Sequence, residues 1–349
     1  MMRYYGKSYA KTHVFLIRRS YEFIDESMLK TIKSLGTVSR AEFLLPNLGS
    51  LIMGLAWGAT PSTSIGDLVV MIVLSFAIIN VSSAIGAQAN TLSDRELDSK
   101  DERKKQLVEA TNSFGANRLK KVLIIEFALT LILVFLFMSI QQKPILLLLW
   151  IVGICLGCAY SLPPIRLKSR SWLAPISLIL VLAVFPVLFA YYTFTTEMNP
   201  FFLLSLTGLA LTVYGVIIPT EIRDYFGDKA MHIETMTVRL GLVKASLLGI
   251  VLLTAGAILT GTAFFLEWAY GHHSWLSVFL LAIPVTVIFV LGKFKKLHSL
   301  SKELASSKNQ ASVAEDIVSL SAHNPQWIMR VTQTYSIMSI ILLMSKFLL

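Results

Sequence analysis

Asn90-Thr-Leu-Ser-Asp94-Arg-Glu-Leu-Asp98 ends a long apolar run that begins near Val69. On a helix, a spacing of four residues places Asn90, Asp94 and Asp98 on one face, so an amide and two carboxylates point the same way. Ionisable side chains at the end of a membrane segment are costly and by default indicate a functional site. The stretch therefore predicts a membrane helix that ends in a cation-binding site.

The composition around this stretch is typical of an integral membrane protein. The 349 residues are 55% hydrophobic and only 15% charged, whereas about a quarter of the residues in soluble domains are charged. Apolar runs of about 20 residues, the length that a helix needs to cross a bilayer, recur along the chain. We predict an all-α bundle of nine transmembrane helices at residues 44–60, 68–90, 121–140, 144–160, 172–193, 200–221, 246–266, 274–292 and 328–348.

The distribution of Lys and Arg predicts the orientation of these helices. Lys143 and Lys346 are the only two of the 31 Lys and Arg residues outside five segments of the sequence. The positive-inside rule makes those segments cytoplasmic, which places the N-terminus and the charged loops, where any chemistry is expected, on the cytoplasmic side. The five segments are 1–43, 91–121, 161–171, 222–245 and 293–330.

The same pattern predicts the organisation of the chain. Residues 1–38 are polar and are expected to form a cytoplasmic N-terminal extension, followed by a nine-helix domain over residues 39–349. Within that domain, residues 293–327 are predicted to form a polar cytoplasmic linker with a short amphipathic helix.

A second acidic stretch, Glu221-Ile-Arg-Asp224-Tyr-Phe-Gly-Asp228, ends the sixth predicted span in the same way. Its acidic residues lie at i, i+3 and i+7, again on one helical face. Two acidic faces opposite each other repel unless cations lie between them, and hard oxygen ligands select Mg²⁺, with Mn²⁺ as the alternative. Because Mg²⁺ shares its coordination shell with substrate phosphates, a diphosphate is the expected third partner.

A basic stretch after the fourth span supplies donors for such a diphosphate. In Tyr160-Ser-Leu-Pro-Pro-Ile-Arg166-Leu-Lys168 the two prolines stop the helix, so Tyr160 and Ser161 stay at membrane depth. Arg166 and Lys168 then return toward the mouth of the site. The candidate cationic ligands of the diphosphate are Arg40, Arg95, Arg166 and Lys168.

Taken together, these motifs resemble those of the UbiA superfamily of intramembrane prenyltransferases. The resemblance rests on N-x-x-x-D-x-x-x-D at 90–98, Y-S-x-P-P-x-R-x-K at 160–168, D-x-x-G-D at 224–228 and T-x-x-V-R-L-G at 235–241. The sequence departs from the family pattern at Thr91 and in the Lys100–Lys105 tail, which lacks the usual Pro. That departure bears on the contacts to diphosphate.

The resemblance implies a function and roles for individual residues. It implies Mg²⁺-dependent transfer of a prenyl group from a prenyl diphosphate to an apolar acceptor, with the prenyl tail in a lateral cavity open to lipid. The implied metal ligands are Asn90, Asp94, Asp98, Asp224 and Asp228. Lys168 joins the four aspartates as a catalytic residue. The resemblance also places Tyr160 and Ser161 beside the diphosphate. Together with the candidates named from the residues themselves, the predicted substrate-binding residues are Asn90, Arg40, Arg95, Tyr160, Ser161, Arg166 and Glu221.

Other functions stay open at this point. In a transporter or lipid-binding protein, the same carboxylates could couple ion binding to the movement of a substrate. Transporters, however, usually place such groups near the midplane of the membrane. A soluble-type isoprenyl chain synthase would share the aspartate-rich motifs but not the nine predicted membrane spans. The acceptor is either aromatic, as in quinone precursors, or a non-aromatic lipid, polyene or tetrapyrrole. The expected partners are the bilayer, the donor and the acceptor, with no nucleic acid. The oligomeric state is open.

Overall fold

The computed structural model of the chain describes residues 28–62, 64–99, 104–230, 233–270, 282–307 and 309–348. Within these ranges the chain is helical, apart from loops and one isolated parallel bridge between Ser171 and Thr235. Residues 28–38 are helical. Most of the predicted N-terminal extension, part of the Lys100–Lys105 tail and part of the eighth predicted span lie outside the described residues.

Twelve α-helices follow residues 28–38 within the described ranges. The sixth of them contains a π-helical segment at Leu180–Val184. The helices are α1 Leu44–Gly58, α2 Ile65–Asp98, α3 Lys105–Phe114, α4 Ala116–Gln141, α5 Pro144–Ser161, α6 Leu173–Phe194, α7 Pro200–Ala230, α8 Met236–Leu240, α9 Leu242–Tyr270, α10 Ala282–Ser306, α11 Gln310–Ala322 and α12 Asn324–Leu348.

Seven stretches of the described chain are long and apolar enough to cross a membrane. Their outer surfaces carry apolar side chains such as Ile124, Leu129 and Ile132 on α4, which are 64%, 60% and 57% exposed. A surface of that kind is suited to lipid rather than to water. The seven stretches are α2, α4, α5, α6, α7, α9 and Gln310–Phe347, which joins α11 to α12. The fold is therefore that of an all-α integral membrane protein with several spans.

The predicted count of nine spans is not confirmed as it stands. The first predicted span forms only the 15-residue helix α1, which is about 22 Å long, shorter than the ~30 Å hydrocarbon core. The eighth predicted span includes residues outside the described ranges, and the helix that continues it, α10, runs on to Ser306. Charged side chains in its second half keep α10 out of the apolar set.

The segment 293–327, predicted to be a polar linker, is largely helical in the part that the structure describes. Residues 293–306 belong to α10, and the rest of the segment contains helix α11. Val313 and Ile317 on α11 are buried in a cluster with Ile218 and Ile222 of α7. Helix α11 therefore packs on the end of α7 that carries the second acidic stretch.

Close helix contacts at glycines hold the bundle together. On α7, a Cβ atom at Gly208 would lie 2.3 Å from Thr260 Oγ1 and 2.8 Å from the carbonyl oxygen of Gly256 on α9. On α1, a Cβ atom at Gly54 would lie 2.6 Å from the backbone nitrogen of Tyr191 on α6. Small residues let helix backbones approach this closely in membranes, where packing replaces much of the hydrophobic driving force.

The α7–α9 contact generates a prediction about stability. Gly208→Ala should lower the free energy of unfolding by about 1–3 kcal/mol because the new methyl group overlaps backbone atoms of α9. Gly261→Ala on α9 is the matched control, since a Cβ atom there meets nothing within 4 Å. It should be neutral or stabilise the protein by up to about 1 kcal/mol. Thermal unfolding of the two variants in detergent measures the difference, and equal melting temperatures would contradict the close contact.

Candidate active site

The acidic face of α2 is buried at one end of the bundle. Helix α2 continues without a break from the apolar run to Asp98, so the whole first motif is helical. Asp94 and Asp98 are 6% and 3% exposed. Carboxylates buried to this degree need partners, because an unpaired buried charge is costly.

The loop after α5 brings two basic residues to this face. Helix α5 ends at Ser161, two positions before the Pro163–Pro164 pair, as the sequence predicts. Arg166 has a left-handed backbone with φ 41° and starts a 3₁₀ turn at Leu167–Ser169. A non-glycine residue in this region is uncommon and costs energy, and such residues cluster at functional sites. The turn directs Arg166 and Lys168 back over the end of α2.

Five side chains from α2, α5 and this loop form one polar network. Lys168 Nζ donates to Asn90 Oδ1 at 3.0 Å and also to Asp94 Oδ2. Arg166 Nη2 donates to Asp94 Oδ1 at 3.0 Å, and Ser161 Oγ donates to Asn90 Oδ1 at 3.0 Å. Burial lowers the pKa of Lys168, while its hydrogen bond and charge interaction with Asp94 oppose that change. We call Asn90, Asp94, Ser161, Arg166 and Lys168 the polar cluster.

Two further predicted site residues of α2, Asp98 and Arg95, bond to side chains outside the polar cluster. Lys104 Nζ forms an ion pair with Asp98 Oδ1 at 2.5 Å. Arg95 donates to Asn112 Oδ1 of α3 at 2.9 Å, so its guanidinium lies on the α3 side rather than in the polar cluster. The structure thus brings Asn90 and Asp94 together with the basic stretch at residues 160–168 but directs Arg95 elsewhere.

The second acidic stretch lies at the matching end of α7, which is helical to Ala230. Asp224 is paired with the neighbouring Arg223 at 3.1 Å, and Glu221 accepts hydrogen bonds from the hydroxyl of Thr237 at 2.8 Å and from its backbone N–H at 3.3 Å. Glu221 also interacts electrostatically with Asp228 and Asp224.

Two features connect the two acidic stretches. Tyr160, at the end of α5, lies within electrostatic reach of both Glu221 and Asp94. The bridge between Ser171 and Thr235 joins the loop after α5 to the loop after α7. Thr235 also caps α8 by accepting from the backbone N–H of Val238. The loops that carry the predicted motifs therefore meet at one end of the bundle.

An apolar cavity of about 450 Å³ opens beside the polar cluster. Its polar end is formed by Arg40, Asn90, Tyr160 and Ser161, and its walls are apolar side chains of α2, α5 and α6. Arg40 has a left-handed backbone with φ 54° and an ion pair to Glu42 at 3.2 Å. The cavity-lining stripe on α2, residues 78, 82, 86 and 90, recurs every four residues, and this spacing was a signal that our reading of the sequence missed.

The oxygen donors of the site suit a hard divalent cation, although they do not form a metal cage. Among the described residues, no group of three or more His, Cys, Asp or Glu side chains lies close enough to hold a metal ion. Asp94, Asp98 and Asp224 are instead each neutralised by at least one basic side chain. Carboxylate and amide oxygens are the ligands that Mg²⁺ prefers.

Fold and site together define a multi-pass helical membrane protein with the polar cluster at the mouth of an apolar cavity. The chain belongs to the UbiA prenyltransferase family, whose family model matches residues 47–309. That match includes residues 293–309, the first part of the segment predicted to be a polar linker.

Individual relatives support the fold. The chain is similar to a digeranylgeranylglyceryl phosphate synthase structure, with a TM-score of 0.62 and 16% identity over 89% of this chain and 99% of that one. It is also similar to a UbiA homologue from Archaeoglobus fulgidus bound to GPP and Mg²⁺, with a TM-score of 0.56 and 19% identity over 86% of this chain and 99% of that one.

One curated relative matches a shorter region. Homogentisate phytyltransferase from Synechocystis is 33% identical over 97 residues, which are 26% of this chain and 31% of that protein. The chain thus matches less than a third of the length of this relative.

The ion pair between Lys168 and Asp94 generates a prediction about coupling. Because both side chains are shielded from water, at 15% and 8% exposed, the double-mutant cycle Lys168→Met with Asp94→Asn should give a coupling energy of about 2 kcal/mol. The exposed pair Arg40 and Glu42 is the matched control, for which the cycle Arg40→Met with Glu42→Gln should give about 0.5 kcal/mol. Equilibrium unfolding in mixed micelles measures both, and equal coupling energies would contradict the buried pairing.

Proposed function

We propose that the protein transfers a prenyl group from a prenyl diphosphate to an apolar acceptor within the membrane and releases diphosphate. The observation that carries this proposal is the polar cluster at the mouth of an apolar cavity. A prenyl diphosphate has the same division into an anionic head and an apolar tail. The UbiA homologue from Archaeoglobus fulgidus that shares this fold is bound to GPP and Mg²⁺, which supports the same donor class here.

The residues that would hold Mg²⁺ are Asn90, Asp94, Asp98, Asp224 and Asp228, with Mn²⁺ as the alternative metal. When bound, the metal would supply Lewis-acid stabilisation of the charge on the departing diphosphate. The ion pairs described above fit this assignment, because carboxylates already paired with Lys and Arg can exchange those partners for a metal while the basic side chains turn to the diphosphate.

The basic side chains of the polar cluster are proposed to bind the diphosphate. Lys168 and Arg166 would donate to the diphosphate oxygens, whose negative charge grows as the allylic carbon–oxygen bond breaks. Donors fixed in place before the reaction stabilise that charge selectively in the transition state. Ser161 keeps Asn90 oriented through its hydrogen bond. Arg40 and Tyr160 at the cavity mouth complete the proposed set of substrate contacts, with Glu221 near Tyr160. Arg95 is left out because it faces α3.

The cavity walls have a second role in this proposal. The allylic cation reacts with water if water reaches it, and the apolar side chains of α2, α5 and α6 would exclude water from the bound tail. The acceptor is proposed only as an apolar molecule, since the relatives' names cover both an aromatic acceptor, homogentisate, and a glyceryl phosphate lipid. We place the site on the cytoplasmic face, following the distribution of Lys and Arg.

Substitution of the acidic residues tests the proposed function. Asp94→Asn and Asp228→Asn should each lower transfer from radiolabelled geranylgeranyl diphosphate into a membrane lipid extract by at least about a hundredfold. Asp67→Asn, on the same helix as Asp94 but at its opposite end, is the matched control and should keep near-normal activity. Adding EDTA to the wild-type protein should abolish transfer, and excess Mg²⁺ should restore it. Near-normal turnover by Asp94→Asn or Asp228→Asn would refute the site.

A further inference from the structure

We propose that the cavity accepts a prenyl tail of at most about four isoprene units, and that Trp150 and Phe189 form the floor that sets this limit. The inference rests on the proposed function, since it takes the diphosphate to lie at the polar cluster. It adds the class of donor: farnesyl or geranylgeranyl diphosphate rather than a long polyprenyl diphosphate.

The cavity follows one face of each of three helices. On α2 this face runs from Asn90 at the polar end through Gly86 and Ser82 to Ile78. On α5 the corresponding face runs from Ser161 back to Trp150. Two hydrogen bonds fix the register of the two helices, Ser161 Oγ to Asn90 Oδ1 at the polar end and Trp150 Nε1 to Ser82 Oγ, 3.0 Å, near the other end.

The far end of the cavity is closed by a buried cluster. Ile78, Ile79, Trp150 and Phe189 line the cavity and also belong to one apolar core cluster. Behind them lies Phe137, which is 1% exposed and whose ring is 6.5 Å from that of Phe189. Trp150 itself is 5% exposed and is held by its hydrogen bond to Ser82. The tail therefore meets packed side chains rather than an exit to the other side.

The depth of the cavity gives a first limit on the tail. Ile78 and Asn90 both line it, and the helical rise between these positions is roughly 18 Å. An extended chain advances about 3.5 Å for every three backbone bonds, so an isoprene unit of four bonds spans about 4.7 Å. The depth thus corresponds to just under four extended units.

The volume gives an independent limit that agrees with the depth. An apolar cavity of about 150 Å³ holds one benzene ring of six carbons. By the same scale, the cavity of about 450 Å³ holds roughly 18 carbons. That number falls between the three units of farnesyl and the four of geranylgeranyl. A six-unit tail exceeds both limits.

A larger side chain at Gly153 should shorten the cavity, because its Cβ atom would not clash with a neighbour. A Cβ atom at Gly153 would have Phe185 Cβ as its nearest neighbour, at 3.7 Å, which is an ordinary contact. Gly153 lines the cavity eight positions before Ser161, about 12 Å from the polar end. A leucine side chain at this position should leave room for two isoprene units.

A series of donors tests the limit. Purified protein would be incubated with Mg²⁺, a membrane lipid extract and radiolabelled geranyl, farnesyl, geranylgeranyl or hexaprenyl diphosphate, and labelled product would give kcat/KM for each. The wild type should use hexaprenyl diphosphate at least about tenfold less well than geranylgeranyl diphosphate. Gly153→Leu should lose at least about tenfold with geranylgeranyl diphosphate while staying within about threefold with geranyl diphosphate. Trp150→Ala should raise use of hexaprenyl diphosphate at least about tenfold.

Matched controls separate the length limit from general damage. Gly261→Leu adds the same side chain to a helical glycine outside the cavity lining, where a Cβ atom meets nothing within 4 Å, and should leave the donor preference unchanged. Trp327→Ala removes a buried tryptophan from another cluster and controls for lost stability in Trp150→Ala. If Trp150→Ala does not fold, Gly153→Leu decides alone.

The outcomes distinguish this inference from the proposed function. No transfer by the wild type from any donor would refute the prenyltransferase proposal. Transfer that is equally efficient with hexaprenyl diphosphate, or an unchanged preference in Gly153→Leu, would refute the length limit and leave the function standing.

Discussion

The structure depends on the neutralisation of Asp94, a carboxylate that is 6% exposed at the end of a membrane helix. Such a charge is stable only with partners close by. Arg166 and Lys168 supply them, and to do so the chain must leave α5 at Ser161, turn through a left-handed Arg166 and return over α2. The position of the loop after α5, and through the Ser171–Thr235 bridge that of the loop after α7, is consistent with this one requirement.

The apolar and polar parts of the site share the same helices. Helices α2 and α5 carry both the polar cluster and the cavity walls, so the register that joins Ser161 to Asn90 also aligns Trp150 with Ser82. The distance between the polar cluster and the apolar floor of the cavity is therefore fixed by helices rather than by a loop. Close glycine contacts between α7 and α9 and between α1 and α6 brace this arrangement.

Local patterns predicted much of this architecture, and non-local contacts supplied the rest. Helical spacing placed Asn90, Asp94 and Asp98 on one face, and the prolines after Ser161 marked the end of α5, because both depend only on neighbouring residues. Lys104 lies outside α2, so its ion pair with Asp98 depends on how the chain turns back and was not anticipated. The pair between Arg223 and Asp224 joins neighbouring residues of α7 and was also not anticipated. Arg95 follows Asp94 by one position, about 100° around the helix, a sign in the sequence that it faces elsewhere. The cavity is lined by residues from three helices, a combination that no single segment reveals.

The most direct test of the central claim is a structure of the protein with Mg²⁺ and a non-reactive thiodiphosphate analogue of geranylgeranyl diphosphate. If Asp94 exchanges its basic partners for a metal, Mg²⁺ will contact Asp94, and Lys168 and Arg166 will contact diphosphate oxygens above the apolar cavity. A structure in which Lys168 stays on Asp94 while the diphosphate lies beside Arg95 would contradict the claim.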